Sequence, residues 1–531
     1  MTDTERQPAA YPRSSGILAH ITSLPSPYGI GDMGPGTYEF LRFLQQSKQS
    51  IWQILPLGPT ESAFANSPYM TVSAFAGNPL IISPDLLFED GFLTRHQFDN
   101  IQVFSPYSVD FLSVTGFKEK LLALSFSKFQ QQKNSDFIEF VEQTEWLADY
   151  CLFKALKEKS AGKPWFSWAR DLTQRKPQAL EKAGKLLANE IRYYQFEQFI
   201  FTRQWQRLHD FAGQCGIQIF GDIPIYVSHD SADVWSHQDI FELDATTGLP
   251  MRVAGVPPDY FSETGQKWGN PLYRWHTENT STYSRLMRWW ISRFQHMFQQ
   301  VDIARVDHFR GFESYWAVPQ EHKTAIDGKW CKGPGKKFFD VLFKELGQLK
   351  IIAEDLGEIT EEVVALRDKL QFPGMKILQF AFDDNPENEF LPCNYTSTNS
   401  FVYTGTHDND TSVGWFLSDK IDDKIRKRIK NSANRDLHDH HGIHKDLIYL
   451  AMSSIANVCI LPLQDILGFG SDCRMNTPGT ETGNWVWRCS EEFLNEEVSG
   501  WLGEQAELFR RSPEEHKTSS VNVSAQDATI S

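Results

Sequence analysis

The sequence predicts an α/β protein built on a (β/α)8 TIM barrel, and three observations predict it. Eight short apolar runs recur along the chain, at residues 16–24, 51–57, 217–227, 301–309, 351–355, 375–380, 401–408 and 458–466, each bounded by polar, Gly or Pro residues. Continuous runs of this length are what strands buried on both faces look like. Helix-like stretches lie between several of them, most clearly 360–370, which opens Thr360-Glu361-Glu362. Strands alternating with helices favour a closed barrel over a doubly wound sheet. Three of the runs also deliver acids at their C-terminal ends: Asp307, Glu354-Asp355, and His407-Asp408. Barrel enzymes carry their chemistry on that face.

A bare barrel takes roughly 250 residues, and this chain has 531. The excess is expected in two insertions, at about 78–215 after the second strand and 228–283 after the third. The first should be helical and amphipathic around 147–157 and 180–208. Insertions after strands sit on the catalytic face, where they shape a cleft. Residues 1–15 are expected as an N-terminal tail, 16–510 as a single catalytic barrel, and the Ser- and Glu-rich 511–531 as a disordered tail.

Composition narrows the function. A net charge of −16 argues against nucleic acid and against anionic membrane surfaces, both of which need basic patches. A neutral substrate fits better. The 39 Phe and 16 Trp mostly serve the core, yet leave rings for stacking on flat sugar faces. Seven scattered Cys without a Cys-x-x-Cys pair suggest reduced thiols, and residues 1–13 lack an apolar leader segment, so a cytoplasmic enzyme is expected. The longest apolar stretch, 449–463, is broken by Ser453, Ser454 and Asn457 and is too short to span a bilayer.

In a strand, Arg305 and Asp307 share one face. Arg305 would keep Asp307 ionised, which makes Asp307 the candidate nucleophile of a glycosidic reaction. Glu354, whose pKa neighbouring carboxylates would raise, is the candidate acid/base. Asp408 would orient sugar hydroxyls and favour an oxocarbenium-like transition state, with His407 donating to the same ring. An isolated Arg-x-Asp is more often a structural ion pair, and Glu-Asp at a strand end is often a helix cap. Three such acids in a barrel pattern outweigh those readings.

Arg305-Val306-Asp307, Glu354 and His407-Asp408 resemble, in order, the motifs of the α-amylase clan of retaining glycosidases. The stretch Gly255-Val256-Pro257-Pro258-Asp259-Tyr260-Phe261-Ser262, with Thr264-Gly265-Gln266 and Trp268-Gly269-Asn270-Pro271-Leu272-Tyr273, is more specific. It resembles the amylomaltase, or disproportionating-enzyme, branch: 4-α-glucanotransferases acting on α-1,4-glucans. Asn66-Ser67-Pro68-Tyr69, Gly221-Asp222-Ile223-Pro224 and Glu354-Asp355-Leu356-Gly357 support it, and the resemblance spans about 16–487. It implies Asp307 as nucleophile, Glu354 as acid/base and Asp408 as transition-state stabiliser, with neither cofactor nor metal. The Asn-His that ordinary amylases carry after the third-strand Asp is missing after Asp222. Too little chain follows the eighth strand for the amylases' C-terminal β-domain.

Further substrate contacts are expected from Tyr69 as an aromatic platform, from Asp222, and, by resemblance, from Asn476. The segment 253–275, with Tyr260, Phe261, Trp268, Tyr273 and Trp275, reads as a lid that stacks an incoming glucan, with Asp259 at its stiff tip as a hydroxyl partner. Its alternative is an insertion with its own aromatic core. His438, His440, His441 and His444 lack fixed ligand spacing and do not read as a metal site. The basic run 424–430, with Ile425 and Ile429 at helical spacing, reads as a solvated helix face. The expected partners are α-1,4-glucans and maltooligosaccharides, with glucose as acceptor or product. A glucan hydrolase of the same clan and a glucan-binding protein without catalysis remain the alternatives.

Overall fold

The computed structural model describes residues 11–98, 102–258, 262–435 and 442–513. Its strands, in chain order, are β1 (Ser14–Leu18), β2 (Ile51–Gln53), β3 (Gln218–Pro224), β4 (Arg252–Val256), β5 (Gln266–Pro271), β6 (Ile303–Asp307), β7 (Ser314–Pro319), β8 (Lys329–Lys332), β9 (Ile351–Ala353), β10 (Gly374–Ile377), β11 (Ser400–Tyr403) and β12 (Val458–Pro462). Eight of them form a parallel sheet in the order β10-β11-β12-β1-β2-β3-β6-β9. The Ala353 amide donates to the Pro373 carbonyl at 3.0 Å, which brings the two ends together as a barrel. Each predicted run overlaps one of these strands. Close approach explains one residue type: a Cβ on Gly16 of β1 would lie 2.3 Å from the Ile51 carbonyl oxygen of β2, so only glycine fits there.

The strands are shorter than the apolar runs that announced them. The fifth residue past β11 is Asp408, so the third acid sits in a loop rather than at a strand end. Residues 463–467 turn into a short helix (Leu463–Leu467), and 378–380 form a 3-10 turn. Apolar residues continue past the last ladder bond because the barrel rim is itself covered.

The first insertion is helical as expected. Leu147–Lys159 is one helix, and the 180–208 stretch divides between Pro177–Leu186 and Ala188–Gln214. The second insertion departs from expectation. Instead of helices and loops alone, it supplies β4 and β5, which join β7 and β8 in an antiparallel sheet of order β5-β4-β7-β8. The chain after β6 therefore carries an insertion too. Short strands paired with a distant segment leave no local signal beyond alternation. The run 424–430 lies in the helix Asp423–Ser432, but Lys430 is buried and pairs with Asp446 at 2.7 Å, so that end of the run is not solvated. His438, His440 and His441 lie outside the described residues. No described helix is long and apolar enough to cross a membrane.

The first and last described residues pack at the N-terminal side of the barrel. Tyr11 is buried, and so is Arg511, which lies inside the tail expected from 511 onward. Arg511 donates to the carbonyls of Met452 (2.8 Å), Ser14 (3.0 Å), Asn457 (3.1 Å), Ser454 (3.1 Å) and Ala456 (3.0 Å). Arg13 reaches three of the same carbonyls, those of Ser454, Ala456 and Met452. The two guanidinium groups tie both ends of the described chain to the turn that enters β12. Removing Arg511 would take a charged donor from five carbonyls and leave its buried space unfilled. Arg511→Ala should therefore lower folding stability by about 3 kcal/mol, read as a drop in Tm, while kcat at the opposite end of the barrel is unchanged.

Candidate active site

Strand register builds the centre of the site. Asp222 on β3 is in register with Arg305 on β6, and Pro224 with Asp307. Parallel neighbours in register point the same way, so Arg305 enters the barrel beside Asp222 and one pleat below Asp307. Its Nη1 pairs with Asp222 Oδ2, and its Nη2 lies 2.8 Å from Asp307 Oδ1. The side chains of Arg305 and Asp222 are 5% and 0% exposed, that of Asp307 27%. The guanidinium is thus locked on one carboxylate and presents its second fork arm to another that faces the cleft. The neighbouring carboxylates raise Arg305 well above its ordinary range against the opposing effect of burial. Tyr69 donates its hydroxyl to Asp222 Oδ2 at 2.7 Å, so Tyr69 and Asp222 belong to the same cluster. Burial raises the Asp222 carboxyl, while Arg305 opposes that rise.

Glu354 follows β9 directly. Its Oε2 accepts the His308 amide at 2.7 Å and its Oε1 accepts the Leu356 amide at 2.9 Å. Burial is the main force that pushes its pKa to about 7; Asp307 adds to the shift, and Arg305 and the two amides oppose it. The expected direction holds, but burial rather than neighbouring charge leads. His308 was not anticipated. It adopts a left-handed conformation (φ 50°, ψ 49°), which turns its amide onto Glu354. Sequence offers no signal for such a backbone role. Asp355 faces away, accepting the Met375 amide at 2.8 Å and pairing with Arg367 at 2.5 Å; it holds the barrel wall.

Asp408 is held by the segment that follows β12. Asn476 Nδ2 donates to its Oδ1 at 2.6 Å, and His407 Nε2 lies 3.3 Å from its Oδ2. Arg474, another unanticipated residue, donates to the Asp408 carbonyl at 2.6 Å and the Asn476 carbonyl at 2.7 Å, closing a ring around the acid. Burial lowers the His407 pKa, with Asp408 pulling it back up, so His407 is neutral near pH 7. Its ring stacks on Tyr69 with centroids 5.1 Å apart. Trp485 stands 5.9 Å from Tyr69 and 6.0 Å from His407. A bulky side chain at φ 64°, as Trp485 has, is strained backbone, which persists where surrounding contacts hold it.

The segment read as a lid is a hairpin anchored in the four-stranded sheet. Tyr273 and Trp275 are buried, and the Tyr273 hydroxyl bonds the Ile225 carbonyl at 2.9 Å; these two are core, as the alternative reading had it. Trp268 differs. Its ring lies edge-on to His308 at 4.9 Å and 6.3 Å from Tyr226, next to the backbone that holds Glu354. Asp259, Tyr260 and Phe261 lie outside the described residues.

The arrangement offers an anchored carboxylate open to a cleft, a buried carboxyl able to carry a proton near neutrality, and a third acid held by the segment after β12. A sequence profile described as 4-alpha-glucanotransferase matches residues 19–494. The 4-alpha-glucanotransferase of a Synechocystis species is 51% identical, with 94% of this chain and 98% of that protein aligned. The Thermus thermophilus 4-alpha-glucanotransferase is 43% identical over 94% and 99%. Among solved structures, the amylomaltase from Streptococcus agalactiae in complex with acarbose superimposes with a TM-score of 0.89 at 37% identity, covering 94% of this chain and all of that one. This chain belongs to the 4-alpha-glucanotransferase family.

Proposed function

We propose that this 4-α-glucanotransferase moves segments between α-1,4-glucans by a retaining double displacement carried by Asp307, Glu354 and Asp408. Asp307 attacks the anomeric carbon as the glycosidic bond breaks. Glu354 gives its proton to the departing oxygen, leaving a covalent glycosyl–Asp307 ester. The ionised Glu354 then takes the proton from the 4-hydroxyl of an incoming glucan as that oxygen displaces Asp307. Asp408, fixed by Asn476 and His407, faces the positive charge that develops on the sugar ring. Maltooligosaccharides are the substrates, glucose is released from or accepted at the short end, and the enzyme acts in the cytoplasm. The observation that carries the assignment is the unequal seating of two carboxyls. Asp307 takes one arm of a locked Arg305, whereas Glu354 is buried on two amides with its pKa near 7.

Transfer over hydrolysis requires a sugar hydroxyl to reach the ester before water does. Trp268, on the hairpin over His308, and the Tyr69–His407 stack supply apolar faces for an acceptor. Incubation with maltotriose tests the function. A transferase yields glucose plus longer oligosaccharides with no net rise in reducing ends; a hydrolase raises them; a binding protein leaves maltotriose intact. In the same assay Asp307→Asn and Glu354→Gln should each lower turnover by at least ~100-fold with an unchanged fold by circular dichroism. Near-normal turnover in either would remove that residue from its role.

The seating of Glu354 also sets a pH dependence. Bond cleavage needs its protonated form, so activity on glucans should fall as pH rises through about 7. With maltosyl fluoride, whose leaving group needs no proton, formation of the glycosyl-enzyme should lose that basic limb. A limb of equal strength on both substrates would assign it to another group.

If Trp268 holds the acceptor, Trp268→Ala should forfeit one stacking surface, about 1–3 kcal/mol. The ratio of transfer to hydrolysis on maltotriose should then fall by about tenfold. A constant ratio with lower total activity would make Trp268 a packing residue only.

A further inference from the structure

The four-stranded sheet has two unlike faces. Ala254, Tyr315 and Ala317 are buried in the main core, with Cys331 packed against it. The alternate residues Val253, Val318 and Trp316 turn outward and make a small cluster with Ala325. Trp330 on the edge strand β8 is in register with Trp316, with ring centroids 5.1 Å apart, so it belongs to the outer face. It is 40% exposed, an unusual position for so large an apolar surface.

The ring is nevertheless held. The guanidinium of Arg310 lies 3.9 Å from its centroid, a close cation–π contact that fixes the indole plane. Arg310 is itself buried, and its Nη1 donates to the Glu358 carbonyl. Arg310 stands three residues after Asp307, and Glu358 four residues after Glu354. The stack is therefore bolted to both loops that carry the reacting carboxyls, on the C-terminal face of the barrel. Arg310 covers one ring face and the Trp316 ring meets the indole at 66°, and Trp330 still keeps 40% of its surface exposed. Lys329 and Lys332 beside it on β8 are exposed, Lys332 pairing with Glu313, and Glu358, whose carbonyl holds Arg310, is exposed as well. A pre-oriented indole with polar groups at its border is the surface that stacks on the apolar face of a pyranose and hydrogen-bonds its hydroxyls.

We propose that Trp330, held by Arg310, is an outer glucan-binding platform that engages α-1,4-glucan chains long enough to emerge from the cleft past the Asp307 and Glu354 loops. It acts on chain length rather than on chemistry, and it rests on the transferase reading above.

The test compares wild type, Trp330→Ala and Trp330→Phe on maltotriose and on amylose of long chain length. Trp330→Ala should raise the KM for amylose by about five- to tenfold, with kcat on amylose and both constants on maltotriose unchanged. Trp330→Phe, which keeps a ring over Arg310, should recover most of the amylose affinity. Equal losses on both substrates would overturn the proposal, since the stack would then only hold Arg310 and the catalytic loops in place. Unchanged kinetics on amylose would overturn it as well. Absence of disproportionation by the wild type on maltotriose would instead defeat the transferase reading, so the two failures are distinct.

Discussion

The site depends on a buried guanidinium shared between two carboxylates. Arg305 has little access to water, so its charge must be met inside the barrel. Asp222 meets one side of it, from the neighbouring strand at the same register. That pairing fixes the guanidinium plane and leaves one edge for Asp307. The hydroxyl of Tyr69 on Asp222 extends the network to the wall of the cleft. Moving β3 by one residue relative to β6 would place Asp222 on the opposite face and leave Arg305 unmet. The barrel's register and the state of its candidate nucleophile are thus one constraint.

The remaining acids are differentiated by what surrounds them. Glu354 is buried and bonded to two amides, so its proton affinity rises mainly through desolvation. Asp408 keeps more solvent and accepts from the neutral amide of Asn476, with His407, its pKa lowered by burial, 3.3 Å away. Three carboxyl groups on one barrel face therefore have three environments, the arrangement on which the proposed division of roles among them rests.

The second sheet gives the cleft its cover. A hairpin packed on β7 is stiffer than a free loop, and its aromatic residues divide cleanly. Tyr273 and Trp275 fill the space beneath it, while Trp268 reaches the backbone turn at His308. The same sheet carries Trp330 at its outer edge, locked onto Arg310. Segments on either side of β6 thus pair in one sheet, which ties the hairpin to the chain that carries Asp307.

Much of this was legible in the chain itself. Eight apolar runs mark eight strands because a strand buried on both faces must be apolar throughout, and acids after three of them on one barrel face point to a site rather than to separate ion pairs or caps. The pairing of Arg305 with Asp307 follows from the two-residue period of a strand. What only the tertiary structure decided depends on residues far apart in sequence. The lock of Arg305 on Asp222 spans 83 residues, and the Asn476 bond to Asp408 spans 68. The pairing of β4 with β7 and the clamp of Arg511 on the entry to β12 are equally non-local. The left-handed turn at His308 and the strained Trp485 are set by the packing around them. A sequence carries its periodicities locally, whereas burial, register and the partner of a buried charge exist only once the chain has closed on itself.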